Sequence, residues 1–134
     1  MDAVALLLWV VTATGGLAMA GIWLANRGPR QHAEGVSRIS PTRLGAHFGL
    51  AAAGLLLWIA HVATDNDGPG WIALALLPAV AIIGFLMFMT WLAGRGAAVT
   101  EATPAEQRIP PLVVAAHGLF AVLTLGAVLV ALLS

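Results

Sequence analysis

The 134-residue chain is 60% hydrophobic and only 9% charged. A water-facing domain carries about 25% charged residues, so most of this surface must face lipid. Six basic residues, all arginine, balance six acidic ones, which leaves no bulk charge for nucleic acid. The absence of cysteine excludes disulfides, thiolate metal sites and cysteine nucleophiles.

Four apolar stretches of about 20 residues each have the length a helix needs to cross about 30 Å of hydrocarbon. They predict a single all-α domain, an up-down-up-down bundle of four transmembrane helices. Strands are excluded by the length of the stretches and their lack of polar–apolar alternation. The first runs from about Ala3 to Ala25. Ala18-Met19-Ala20 resembles a signal cleavage site, but no positive segment precedes the apolar run, so a retained helix is expected. This helix is rich in small residues (Thr12, Thr14, Gly15, Gly16, Ala18, Ala20, Gly21), which let neighbours approach closely, in the bundle or in an oligomer. Asn26, Arg27, Gly28 and Pro29 end it. The second stretch, Leu44 to Thr64, is preceded by Ser40-Pro41-Thr42, with Thr42 as the expected N-cap. Asp65 to Gly70 reads as a tight turn. The third, Trp71 to Ala93, contains Pro78, which predicts a kink, and closes at Gly94-Arg95-Gly96. The fourth, Leu112 to Leu133, is opened by Pro110 and Pro111, where a missing amide hydrogen costs little. No internal repeat or low-complexity segment is evident.

Orientation follows from the arginines. Arg27, Arg30, Arg38 and Arg43 lie in or beside the first connection, Arg95 and Arg108 in the third, and none elsewhere. The positive-inside rule places connections 26–43 and 94–110 in the cytoplasm and both termini outside. Among the tryptophans, Trp23, Trp71 and Trp91 are expected in interfacial belts, while Trp9 lies deeper.

His47, His61 and His117 fall inside predicted helices, where ionisable residues are costly and mark functional sites. His32, in an arginine-rich loop, reads as a solvated residue. The second and fourth helices run parallel, and His47 and His117 each lie within about 10 Å of the cytoplasmic helix ends at 1.5 Å per residue. Facing one another, they would supply the two axial nitrogens of a b-type haem. Arg43, one turn before His47, is a candidate partner for a haem propionate, as is Arg108. Gly54, with Gly45 and Gly49, offers room for a flat macrocycle, or for close helix approach. His61 and Asp65, four residues apart, form a second candidate site, for a divalent transition metal such as copper or zinc, with Asp67 nearby. Met87 and Met89 are soft thioethers near the His47/His117 level, or apolar filler. Phosphate-binding glycine loops, nucleophilic triads and intramembrane carboxylate pairs are missing, so an electron carrier or accessory subunit is expected rather than a stand-alone enzyme.

Two resemblances follow. The segments GAHFGLAAAGLLLWIAHVATD, AIIGFLMFMTWL and PPLVVAAHGLFAVLTLGAVLVALL resemble small four-helix membrane proteins common in actinobacteria, which implies a bacterial inner-membrane protein and fits the high-GC flavour of the composition. The His-x13-His spacing of His47 and His61 resembles the haem-ligating helices of di-haem cytochromes b. That resemblance implies haem b and exchange of electrons with a quinone or a redox subunit. The fourth helix lacks a second histidine, so His61 would pair with its copy in a homodimer, bind a metal alone, or bind nothing. The competing expectations are a structural subunit of a larger membrane complex and a transition-metal protein using His61 and Asp65.

Overall fold

The computed structural model describes residues 1–96, 100 and 102–134; positions 97–99 and 101 of the predicted connection 94–110 lie outside the described residues. Five α-helices follow in order: α1 (Asp2–Ala25), α2 (Gly28–Ala33), α3 (Pro41–Thr64), α4 (Asp67–Ala93) and α5 (Pro111–Leu133), with a 3-10 turn at Ala105–Arg108 before α5. Four of them, α1, α3, α4 and α5, are long and apolar enough to span a bilayer. Outward side chains such as Leu56 and Val122, each about two-thirds exposed, show that the bundle is coated with apolar surface suited to lipid.

Local chemistry sets the ends. α3 starts earlier than expected, because Ser40 rather than Thr42 is the N-cap: its side chain accepts from the Arg43 amide, and Pro41 occupies the first helical position. α4 also starts early and reduces the expected six-residue turn to Asp65 and Asn66. Asp65 adopts a left-handed conformation (φ 52°), and the Asn66 side chain caps α4 by accepting from Gly68 N at 2.9 Å. Pro69 falls in the first turn of α4, where its missing N–H removes no helical bond. Pro78 lies inside α4 without ending it.

The helices form two closely packed antiparallel pairs, α3 with α4 and α1 with α5; the α1/α3 and α4/α5 seams are slighter. Toward the termini the core is Ala5, Trp9, Trp58, Ala73, Leu77, Ala127 and Val128. Toward the arginine-bearing connections a smaller cluster joins Trp23, Ile39 and Ala105, with Leu44 and Met87 packed on it. Trp23 and Trp91 are therefore interior residues, not belt residues; Trp71 is about half exposed, as a belt position requires.

The contacts reveal an internal duplication that the sequence reading missed. WLANRG (Trp23–Gly28) matches WLAGRG (Trp91–Gly96) 68 residues on, and Gly16 matches Gly84 in the same frame. Arg38-Ile39-x-Pro41-x5-His47 matches Arg108-Ile109-x-Pro111-x5-His117 70 residues on. Burial obeys the same offsets: Ala5 with Ala73, Trp9 with Leu77, Trp23 with Trp91, Ile39 with Ile109, and Trp58 with Val128 are all buried. The bundle is two helical hairpins, α1–α3 and α4–α5, in which the first helix of each packs on the second helix of the other. Such reciprocal contact is the signature of a two-fold relation.

Candidate functional site

Three intramembrane histidines use one device. His47 Nδ1 lies 3.0 Å from the Val80 carbonyl, and its ring fills the notch at Gly84, where a Cβ would come within 2.9 Å of Cε1. His117 Nδ1 lies 2.9 Å from the Thr12 carbonyl and its ring fills the notch at Gly16, where a Cβ would lie 3.2 Å from Cε1. His61 Nδ1 lies 2.9 Å from the Asn66 carbonyl beside Gly70, where a Cβ would lie 3.1 Å from Cγ. In each case the glycine follows the accepting residue by four positions, one helical turn. A carbonyl only accepts, so Nδ1 carries the proton and donates. In the neutral imidazole this leaves the Nε2 lone pair free.

His47 and His117 occupy equivalent positions of the two hairpins, and each docks on the first helix of the other. The structure brings their rings together, with centroids 6.3 Å apart and planes inclined at 63°. Both are half-buried. Along the helices they fall between the two hydrophobic clusters, at a level with no other titratable side chain in α1, α3, α4 or α5. Beside His117 an apolar groove of about 240 Å³, lined by Val11, Gly15, Leu112, Val113, Ala116 and Phe120, opens between α1 and α5.

The remaining sequence candidates are placed differently. Gly54 gives its room to the Trp9 indole, which a Cβ there would approach to 2.9 Å, so a tryptophan and not a macrocycle occupies that space. Gly45 and Gly49 face open space. Arg43 lines a groove with Arg38 and the lipid-exposed Leu86 and Met89. Arg108 donates through Nη2 to the Thr100 carbonyl at 3.4 Å. Met87 packs in the smaller cluster, whereas Met89 is exposed.

At the opposite end, His61 is only 6% exposed, under the Trp58 ring at 4.7 Å between centroids. The carboxylates that approach it belong to Asp2 (3.9 Å from Nε2) and Asp67 (3.7 Å from Nδ1), not to Asp65, which the left-handed turn commits to capping α3. Among the described residues no three His, Cys, Asp or Glu groups are arranged to hold a metal ion. His32 is not simply solvated, since its Nδ1 donates to the Ser37 carbonyl at 3.0 Å.

The sequence reading also missed Glu106. Its carboxylate is 2% exposed and accepts from Ser37 Oγ at 2.7 Å and from the Arg38 amide at 2.8 Å. Ser37 in turn accepts from Trp23 Nε1 at 3.2 Å. Gln31 completes the tie between the two connections: its side-chain oxygen accepts from Ala105 N, and its Nε2 donates to the Thr103 carbonyl. No protein-family model, curated protein or solved structure matches this chain.

Proposed function

We propose that the His47/His117 pair holds the iron of a b-type haem, and that the protein passes electrons within the membrane to or from a quinone or a redox subunit. One observation carries this reading: two imidazoles from different hairpins, each with Nδ1–H tied to a backbone carbonyl, stand 6.3 Å apart. Metal–nitrogen bonds of about 2 Å on either side of one metal put two imidazole centroids about 6 Å apart. The carbonyl bond fixes the tautomer and raises ligand basicity, as is usual for metal-ligating histidine. His47 belongs to the α3/α4 pair and His117 to the α1/α5 pair. A planar group held by both would sit in the interface between the two pairs, which is slighter than the seam within either pair. The haem would supply one-electron chemistry. The chain would supply the ligands, an apolar pocket that tunes the potential, and exclusion of water.

The test is the absorption spectrum of protein purified after expression with ample haem precursor. A Soret band with sharp reduced α and β bands is expected. His47→Ala and His117→Ala should each abolish it, and His61→Ala should leave it intact. Colourless, folded protein would refute the proposal.

His61 favours a second reading. It makes the same carbonyl-and-glycine lock with no second imidazole facing it, so the lock also works as a pure helix-joining device. On that reading the chain is a structural subunit of a larger membrane complex. It predicts a colourless protein that co-purifies with a stoichiometric membrane partner.

A further inference from the structure

We infer that the groove between the arginine-side ends of α3 and α4 binds an anionic phospholipid. The groove measures about 510 Å³ and is lined by Arg38, Arg43, Leu86, Met89, Thr90 and Ala93. Its two arginines differ from Arg30, Arg95 and Arg108, whose side chains are engaged elsewhere. Arg30 is paired with Glu34 at 2.8 Å, Arg95 lies over the Trp91 ring at 4.9 Å, and Arg108 reaches the Thr100 carbonyl. Among the described residues no carboxylate pairs with the guanidinium of Arg38 or Arg43. Their backbones are nevertheless pinned, Arg38 N to the buried Glu106 and Arg43 N to the Ser40 cap. Two arginines thus rise from anchored backbone to line one groove, where both can reach a single phosphate.

The rest of the groove suits an acyl chain. Leu86 and Met89 are exposed, and Thr90 spends its hydroxyl on the Leu86 carbonyl at 2.9 Å, so it presents its methyl group without an unmet donor. Charge at the mouth and hydrocarbon beyond it match a phosphodiester headgroup with its tail, where a free phosphate would use the mouth alone. The duplication supplies an internal comparison. The position equivalent to Arg43 in the second hairpin is Val113, so the paired-arginine mouth occurs once per chain.

The test uses the full chain in mixed vesicles of phosphatidylcholine and phosphatidylglycerol, extracted gently and weighed by native mass spectrometry. One phosphatidylglycerol retained per chain in preference to phosphatidylcholine is expected. The Arg38→Gln/Arg43→Gln double variant should lower that retention about tenfold or more, since each arginine near a charged leaflet contributes substantially. Arg30→Gln should leave it unchanged, and Arg38→Lys/Arg43→Lys should restore part of it. Circular dichroism and gel filtration establish that each variant is folded. Equal retention by the double glutamine variant, or displacement of the lipid by millimolar inorganic phosphate, would overturn the inference.

Discussion

Each buried imidazole in this bundle is held by a donor–acceptor bond on one side and a missing side chain on the other. Adding a methyl group at the notch is therefore the most direct probe. Gly84→Ala places Cβ 2.9 Å from His47 Cε1 and should destabilise the protein by about 1–3 kcal/mol, as overpacking does. Gly16→Ala, with 3.2 Å to His117, should cost less. Gly49→Ala, in open space, should be neutral or stabilising by up to about 1 kcal/mol through helix propensity. Unfolding in detergent, followed by circular dichroism, ranks the three. The histidines themselves were legible in the sequence, because ionisable groups are rare inside membrane helices. Their glycine partners were not. Gly16 and Gly84 sit among fifteen glycines, and nothing in a linear reading distinguishes a notch that receives a ring from a glycine facing lipid such as Gly49.

At the level of elements, the four long helices were readable from length and hydropathy, and their ends only in part. Asn66 capping and Asp65 in a left-handed turn shortened a connection that Gly-Pro-Gly seemed to lengthen. The polar connections looked like passive loops, yet they hold the carboxylate that clamps them together. Glu106→Ala removes the acceptor of the part-buried Arg38 amide and leaves the Ser37 hydroxyl only the longer bond to the Ile39 carbonyl at 3.4 Å. A charge-assisted pair of this kind contributes about 1.5–3 kcal/mol per bond, so a loss of several kcal/mol is expected. Limited proteolysis of the connection between α1 and α3 is a second readout. Cleavage there should accelerate in Glu106→Ala and stay near the parent rate in Arg30→Ala, which loses an ion pair with Glu34 on the exposed face.

For the whole molecule, the duplication explains why two histidines meet at all. Equivalent positions in two hairpins related by a two-fold come together near the relating axis. The repeat escaped a linear reading because identity survives mainly at interior positions and at the turn WLANRG/WLAGRG, while lipid-facing positions exchange freely among apolar residues. The two halves are also unequal where their contents complement one another: Trp9 and Trp58 face Leu77 and Val128 in one core. A chain cut between Asp65 and Asn66 should therefore reassemble when its two fragments are co-expressed, because every tightly packed seam joins one fragment to the other. Co-purification of residues 1–65 with 66–134 through a tag on one fragment is the check. Gly16→Leu with Gly84→Leu should abolish it.

Each hairpin keeps its own pair of arginines, Arg27 with Arg38 in the first and Arg95 with Arg108 in the second, at matching places on the same side of the bundle. Under the positive-inside rule the insertion machinery would receive the same instruction twice, and the second half would not depend on the first for its orientation. Neutralising either pair alone should leave a reporter fused to the C-terminus on its original side, whereas erasing the whole bias should yield chains of both orientations.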